Sequence, residues 1–180
     1  TAVYLAALTH EGRGLDPYFH HIEKMSHDVG ARYQALIAAG AVANCETQIA
    51  ALKHVLCDTY HYDGDAQTYN DLRNADIIEV IDRRKGLPIA LAILVIAIGR
   101  EQGWDVKGVN FPGHFLVRID RDGQRVMCDP FHQFDILQAP DLRALLKRAL
   151  GDKAELSANF YREASNREIL LRLQNNIKFR

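Results

Sequence analysis

The chain has 180 residues, of which 48% are hydrophobic and 25% charged, and this ordinary globular composition excludes disordered, collagen-like and disulfide-scaffold proteins. Its length corresponds to a single domain with a sizeable core. The 22 basic and 23 acidic side chains leave a net charge of −1, so no overall field attracts nucleic acid or an anionic membrane.

The first part of the chain, residues 1–62, is helical in pattern. Asp16 and Pro17 are typical of a helix start, because a carboxylate caps free amides and proline needs no donor there. Apolar residues at three- and four-residue steps then predict a helix that runs toward Gly40. A second helix is predicted over residues 46–60.

The middle part, residues 63–135, is expected to contain the core helix and the sheet. Asn74 is expected to cap a short third helix, and Pro88 begins an apolar helix that must be buried on all sides. Glycines 99 and 103 are expected to mark where this helix frays and stops. Three short apolar runs follow, separated by Pro112-Gly113 and Asp122-Gly123, and they predict a three-stranded antiparallel meander.

The last part, residues 136–180, returns to helical spacing. Pro140 begins a helix that continues to Leu150, and Ser165 with Glu168 has the spacing of a capping box before a closing helix. We therefore expect one α+β domain over residues 1–180, with N-terminal helices, a central buried helix, a small antiparallel sheet and C-terminal helices.

Three cysteines, Cys45, Cys57 and Cys128, are widely spaced and form no CxxC pair. The sequence therefore predicts no zinc-binding cysteine motif and no disulfide framework. Because the first residues also lack a secretory signal, we expect a cytoplasmic protein. The longest apolar run, Leu87 to Ile98, is shorter than the ~20 residues that cross a bilayer, so it predicts a buried helix and no membrane contact.

A histidine and an aspartate form the most informative pair in the sequence. His114 is expected at the first position of a strand, and Asp129 at the last position of the next. If Asp122-Gly123 is a two-residue turn, Asp129 faces Leu116 and His114 is its diagonal neighbour at ~7–8 Å. A carboxylate so placed would orient the imidazole as a general base. Alternatively, His114 closes a turn and Asp129 caps the loop before Pro130.

Several motifs in this order resemble the second core branch of the transglutaminase-like superfamily, which in bacteria includes proteins named as invasion regulators. They are Asn70–Asn74, Val80–Leu91 (VIDRRKGLPIAL), Gly108–Arg118 (GVNFPGHFLVR) and Asp129–Phe131. Such proteins often continue into tetratricopeptide-like repeats that bind other proteins, whereas this chain stops at Arg180 before a repeat forms.

The resemblance implies a papain-like arrangement, with a cysteine at the amino end of the central helix and a histidine and an aspartate on successive strands. His114 and Asp129 match the last two. The helix start, Gly86–Leu91, contains no cysteine, serine or threonine, so the helix dipole has no nucleophile to activate. Each of the three cysteines is expected to be structural, and Cys128 should point away from the Asp129 face of its strand.

We therefore weigh three functions. In the first, the domain has lost its nucleophile and binds a protein or peptide around His114, Asp129, Asn110 and Trp104. In the second, it is an active amide or acyl hydrolase, or an acyl transferase, with His114 as the base. In the third, it is a structural adaptor in which neither His114 nor Asp129 borders a cleft.

Two further groups of residues have alternative interpretations. Arg83 and Arg84, at a predicted helix carboxyl end, either bind a phosphate or an acidic peptide, or complement the helix dipole. His114, Asp129 and His132 have metal-ligand chemistry, but His132 lies in a loop whose path the sequence does not define. We therefore predict no metal ion and no other cofactor.

Overall fold

Helices form where apolar residues recur every three or four positions. The computed structural model describes residues 1–178, so positions 179 and 180 of the predicted C-terminal part lie outside the described residues. The α-helices are α1 (Ala2–Ala7), α2 (Asp16–Ala38), α3 (Cys45–Lys53), α4 (Ile77–Arg83), α5 (Pro88–Glu101), α6 (Ala139–Leu150) and α7 (Asn166–Lys178). Short 3-10 turns cover Leu72–Ala75, Pro130–His132 and Ala158–Tyr161.

The predicted meander is the centre of a larger antiparallel sheet. The strands are β1 (Asp63–Gly64), β2 (Lys85–Gly86), β3 (Asp105–Val109), β4 (Leu116–Arg121), β5 (Gln124–Asp129), β6 (Asp135–Leu137) and β7 (Glu163–Ala164). Strands β1 and β2 form a separate parallel pair, and the main sheet has the order β6-β5-β4-β3-β7. The sequence did not predict β6 and β7 because two or three residues carry no alternating pattern.

The turn between β4 and β5 sets the register of the site. Asp122 and Gly123 have φ values of 50° and 80°, as a two-residue hairpin turn requires. Arg121 is then paired with Gln124, and further along Val117 is paired with Cys128. This confirms the register expected from the sequence, in which Asp129, directly after Cys128, faces Leu116, directly before Val117.

Helix α5 is the centre of the fold, as its uninterrupted apolar sequence predicts. Most of its residues are buried, and it packs against β3 and β4. Gly99 does not fray the helix, contrary to our expectation, because it lies within it at a close approach to the sheet. A Cβ there would lie 2.5 Å from Val106 Cγ2, so glycine allows the helix to pack tightly.

Other boundaries differ from the predictions for local reasons. Helix α2 begins at Asp16 as expected, but Leu15 is its N-cap and the Asp16 carboxylate does not cap it. The second predicted helix changes after α3 into a π-helix over His54–Thr59. Asp76, and not Asn74, caps α4 by accepting hydrogen bonds from two backbone amides. Asn74 is buried and donates to the Thr68 carbonyl oxygen at 2.7 Å.

The closing helices follow their predicted signals. Helix α6 ends at Leu150, before Gly151, and the Ser165 and Glu168 side chains each accept a hydrogen bond from the other residue's backbone amide. Leu142 and Leu146 of α6 cover a second, smaller core on the sheet. Within residues 1–178, no helix has both the length and the apolar character required to span a membrane.

Candidate active site

His114 lies in the connection between β3 and β4. Gly113 has a φ of 72°, and the His114 amide donates to the Phe111 carbonyl oxygen at 3.1 Å, which closes a turn. The expectation that His114 begins a strand is wrong, because this turn delays the strand until Leu116. The His114 side chain is nevertheless well enclosed, with 12% of its surface exposed.

Asp129 ends β5, as predicted, and its carboxylate has two functions. Oδ1 accepts a hydrogen bond from the Phe131 amide at 3.0 Å, which starts the turn Pro130–His132, while Oδ2 lies 2.8 Å from His114 Nε2. The contact with Nε2 has the distance of a hydrogen bond but not its direction, so its character is mainly electrostatic. Asp129 therefore both caps the loop and pairs with His114, and the two interpretations are compatible.

His132 joins this pair, although the sequence left its position open. The 3-10 turn brings its Nδ1 to 2.6 Å from Asp129 Oδ2. The imidazoles of His114 and His132 are stacked with their centroids 5.8 Å apart and an interplanar angle of 24°. One carboxylate oxygen therefore lies between two imidazole nitrogens, and the three potential ligand atoms lie within 4.8 Å of one another.

The electrostatics of the cluster favour an ionised aspartate. Burial acts to raise the pKa of Asp129, but the neighbouring His114 and His132 outweigh it and hold the pKa below its usual value. A charged carboxylate here keeps the His114 imidazole oriented, as a general base requires.

The amino end of helix α5 lies beside this cluster. Strand β2 runs directly into α5, and its Gly86 is paired with Gly64 of β1. Gly64 packs on Phe131 so closely that a Cβ would lie 2.6 Å from the aromatic ring. The Phe131 ring in turn meets the His114 ring edge-on, with centroids 6.1 Å apart. A chain of contacts through Gly64 and Phe131 therefore connects the helix start to His114.

The helix start beside His114 presents no nucleophile. Leu87, Pro88 and Ile89 are buried and have neither a thiol nor a hydroxyl. The cysteines are accounted for elsewhere. Cys128 is fully buried, and burial raises the pKa of its thiol. Cys45 Sγ donates a hydrogen bond to the Ile119 carbonyl oxygen. Cys57 lies in the π-helix. Burial also raises the pKa of Cys57 to about 11, so it is a thiol at neutral pH.

Asn110 lies at the site, where it is held by an arginine that sequence reasoning missed. Arg172 of α7 donates hydrogen bonds to the Asn110 side-chain oxygen and, at 3.2 Å, to the His114 carbonyl oxygen. Its guanidinium lies over the Phe115 ring, 5.7 Å from the centroid. Burial lowers the pKa of Arg172, but a guanidinium remains charged. Among the ion pairs of residues 1–178, none joins Arg172 to a carboxylate.

Trp104 is not part of this site. Its ring packs edge-on against Tyr33, with centroids 5.1 Å apart, and it precedes β3 at the end remote from His114. Asn110 is six steps further along the chain, and at ~3.3 Å per step in extended backbone the two residues are roughly 20 Å apart. The placement of Trp104 in the cleft is therefore wrong. Trp104 and Asn110 flank opposite ends of β3, so they lie at opposite ends of the sheet along the strand direction.

Arg83 and Arg84 have partners within the chain. Arg83 donates to Asp65 Oδ2 at 3.1 Å, and the Asp65 side chain is only 3% exposed. Arg84 donates to His21 Nε2 and the Tyr62 hydroxyl, at 2.8 and 2.7 Å, and to the Ile81 carbonyl oxygen. These contacts support the structural interpretation of the basic run.

His132 lines one open depression, and Asn110 and Arg172 line another, whereas His114 and Asp129 line neither of these two. One, of about 380 Å³, adjoins Phe131 and His132, and another, of about 510 Å³, adjoins Asn110 and Arg172. A third, of about 410 Å³, lies between α1, the 3-10 turn Leu72–Ala75 and α7. The chemistry is concentrated at the first two, where the charged and imidazole groups lie.

A histidine paired with an aspartate on an antiparallel sheet, beside the amino end of a buried helix, defines a transglutaminase-like core. The chain belongs to the transglutaminase-like superfamily, whose family model matches residues 16–175. The fold is the α+β arrangement that the resemblance implied.

Two relatives and one solved structure are similar to this chain over part of their own lengths. A UPF0162 protein of Xylella fastidiosa is 36% identical over 133 residues, which are 72% of this chain and 47% of the relative. A UPF0162 protein of Pseudomonas aeruginosa is 39% identical over 106 residues, 59% of this chain and 38% of the relative. A crystal structure of a TGase has a TM-score of 0.47 and 14% identity, covering 87% of this chain and 40% of its own. The chain therefore spans about half the length, or less, of these proteins.

Proposed function

We propose that this domain is a non-catalytic, regulatory module that binds a protein or peptide segment beside the His114–Asp129 pair. The observation that carries the proposal is the start of helix α5, which lies next to the pair and offers only Leu87, Pro88 and Ile89. Covalent acyl transfer requires a thiol or hydroxyl within hydrogen-bond reach of the base. Without one, His114 has no side chain to activate.

Arg172 indicates the chemistry of the bound segment. Its guanidinium is half-buried, charged and held in place by Asn110 and the His114 carbonyl oxygen. A partly desolvated guanidinium binds carboxylates strongly and with fixed geometry. The partner is therefore a protein or peptide segment that carries a carboxylate, from an acidic side chain or a chain terminus, next to an apolar group that packs near Phe131.

The alternative function is amide or acyl hydrolysis, or acyl transfer. It is favoured by the intact His114–Asp129 contact of 2.8 Å, an arrangement that can orient a general base. In this case His114 would act as a base toward a water molecule or an acceptor group supplied by the substrate. The two functions differ in whether replacement of His114 abolishes turnover.

A finer assignment also belongs to the proposal. The motif GVNFPGHFLVR, followed by Asp129–Phe131, supports the second core branch that includes the invasion regulators. The three free thiols support a cytoplasmic location. Proteins of the branch that the sequence resembles often carry tetratricopeptide-like repeats that bind other proteins, which supports a protein or peptide as the partner class.

Selection from a peptide library tests the binding function. We expect the purified domain to select peptides with a carboxylate. We expect Arg172→Ala to weaken the binding of a selected peptide by at least tenfold, because it removes the guanidinium that binds the peptide carboxylate. Arg167→Ala is the matched control, since it removes an exposed arginine of the same helix. Fluorescence anisotropy measures both. A peptide bound equally well by Arg172→Ala, or a selection that yields no peptide, would contradict the proposal.

A further inference from the structure

The cluster of His114, Asp129 and His132 has the composition of a metal site. Imidazole nitrogens together with one carboxylate oxygen are ligands that zinc and other first-row divalent cations prefer. His114 offers Nε2, His132 offers Nδ1 and Asp129 offers Oδ2, and these atoms lie within 4.8 Å of one another. Neither the sequence pattern nor the superfamily assignment called for a metal here.

The distances are close to those that a bound cation requires. With ligand bonds of ~2.0–2.1 Å, a tetrahedral zinc ion holds its ligand atoms about 3.3 Å apart. Asp129 Oδ2 now lies 2.8 Å from His114 Nε2 and 2.6 Å from His132 Nδ1. Each of these pairs needs to separate by less than ~1 Å. This is a small movement for His132, whose side chain is 57% exposed.

Neighbouring groups already hold the ligands in position. The Phe131 amide fixes Asp129 Oδ1 at 3.0 Å, which leaves Oδ2 directed at the two imidazoles. Phe131 also packs edge-on against both rings, with centroids 6.1 Å from His114 and 5.0 Å from His132. Such support around the ligands raises metal affinity because less order has to be created on binding.

A cation would also give the buried His114 Nε2 a partner. Nε2 of His114 is buried and lies near Oδ2, yet it meets no hydrogen-bond geometry. With a metal ion bound, each imidazole would present one nitrogen lone pair and the carboxylate one oxygen lone pair, and a divalent cation uses all three.

We infer that His114, Asp129 and His132 bind one divalent transition-metal ion, with Zn²⁺ as the representative, at the edge of the proposed peptide-binding cleft. Three protein ligands leave a further position for water or for a carboxylate of the partner. This inference goes beyond the proposed function, and either can fail without the other, because metal binding and peptide binding are measured separately.

Titration of chelator-treated protein with ZnCl₂ tests the site. We expect one Zn²⁺ per chain by isothermal titration calorimetry, and visible absorption bands of a four-coordinate complex when Co²⁺ is used instead. His132→Gln and His114→Gln should each weaken Zn²⁺ binding by at least about tenfold. Because the His132 side chain is 57% exposed, its replacement leaves the fold intact, which circular dichroism verifies.

His54→Gln is the matched control. His54 lies 3.3 Å from Asp58 on the surface, which is another histidine–carboxylate contact, but no third ligand joins it among the residues that the structure describes. Binding that is unchanged by His54→Gln and lost in His132→Gln supports the site. Absence of stoichiometric binding, or Zn²⁺ affinity unaffected by His132→Gln, would overturn it.

Discussion

The buried carboxylate of Asp129 contacts the backbone of the following turn and two histidine side chains. It caps the turn that follows β5 and contacts two imidazoles with its second oxygen. The sequence predicted the contact with His114, because strand alternation and a two-residue turn fix that register. It did not place His132, although an aspartate followed by proline is a capping signal that predicts a short helical turn, with the third residue returning to the cap.

Gly64 is the residue on which the packing of the site depends most directly. A Cβ at this position would overlap the Phe131 carbonyl oxygen, which is backbone and cannot rotate away. We expect Gly64→Ala to lower the free energy of unfolding by about 2–3 kcal/mol, since overpacking forces the backbone to shift.

Urea denaturation measures this effect, with Gly14→Ala as the control. No atom lies within 4 Å of a Cβ at Gly14, so the control should change stability by less than about 0.5 kcal/mol. Equal stability of the two variants would show that β1 does not press on Phe131 as described.

At the level of elements, a histidine joins helix α2 to the end of α4 and to the segment before β1. His21 Nε2 accepts a hydrogen bond from Arg84 at 2.8 Å, and the Tyr62 hydroxyl lies 3.1 Å from the same nitrogen. Burial and the neighbouring Arg84 lower the pKa of His21 to about 4. Nothing in the sequence pairs His21 with Arg84, since 63 positions separate them.

This contact predicts a loss of stability in acid. Between pH 6.5 and 4 the unfolded chain binds a proton at His21 that the folded chain does not, so stability falls as the pH falls through this range. We expect His21→Gln to remove about 1–2 kcal/mol of that loss, less than the full linkage value because the ring is only half-buried.

Urea denaturation at pH 7, 6, 5 and 4.5 would measure the change, with the exposed His27→Gln on the same helix as the control. The control should lose stability in acid as the parent does. If His21→Gln and the parent lose stability equally between pH 7 and 4.5, the contact with Arg84 does not govern the acid response.

For the whole molecule, the sequence predicted local features better than distant ones. The apolar helix α5, the turn at Asp122-Gly123 and the order of the central strands all follow from residue pattern. Trp104 was misplaced because the sequence does not say which end of a strand a residue occupies relative to the site. Arg172 was missed because α7 returns to the sheet only through tertiary packing, and an isolated arginine on an amphipathic helix carries no local signal.

The superfamily assignment relates these residues to the core of the transglutaminase-like fold. The fold retains the histidine and the aspartate of a catalytic core, while the helix that would supply the nucleophile begins with Leu87, Pro88 and Ile89. A helix start without a nucleophile is consistent with the binding module that we propose, in which Arg172 would provide the affinity for a carboxylate.

The most direct test is turnover of a broad panel of amide and ester substrates by the domain and by His114→Ala, with product formation followed by mass spectrometry. We expect no turnover above the uncatalysed rate in either protein, because no thiol or hydroxyl lies at the helix start to attack a carbonyl. Turnover by the parent that His114→Ala abolishes would contradict the account and establish an active hydrolase or acyl transferase.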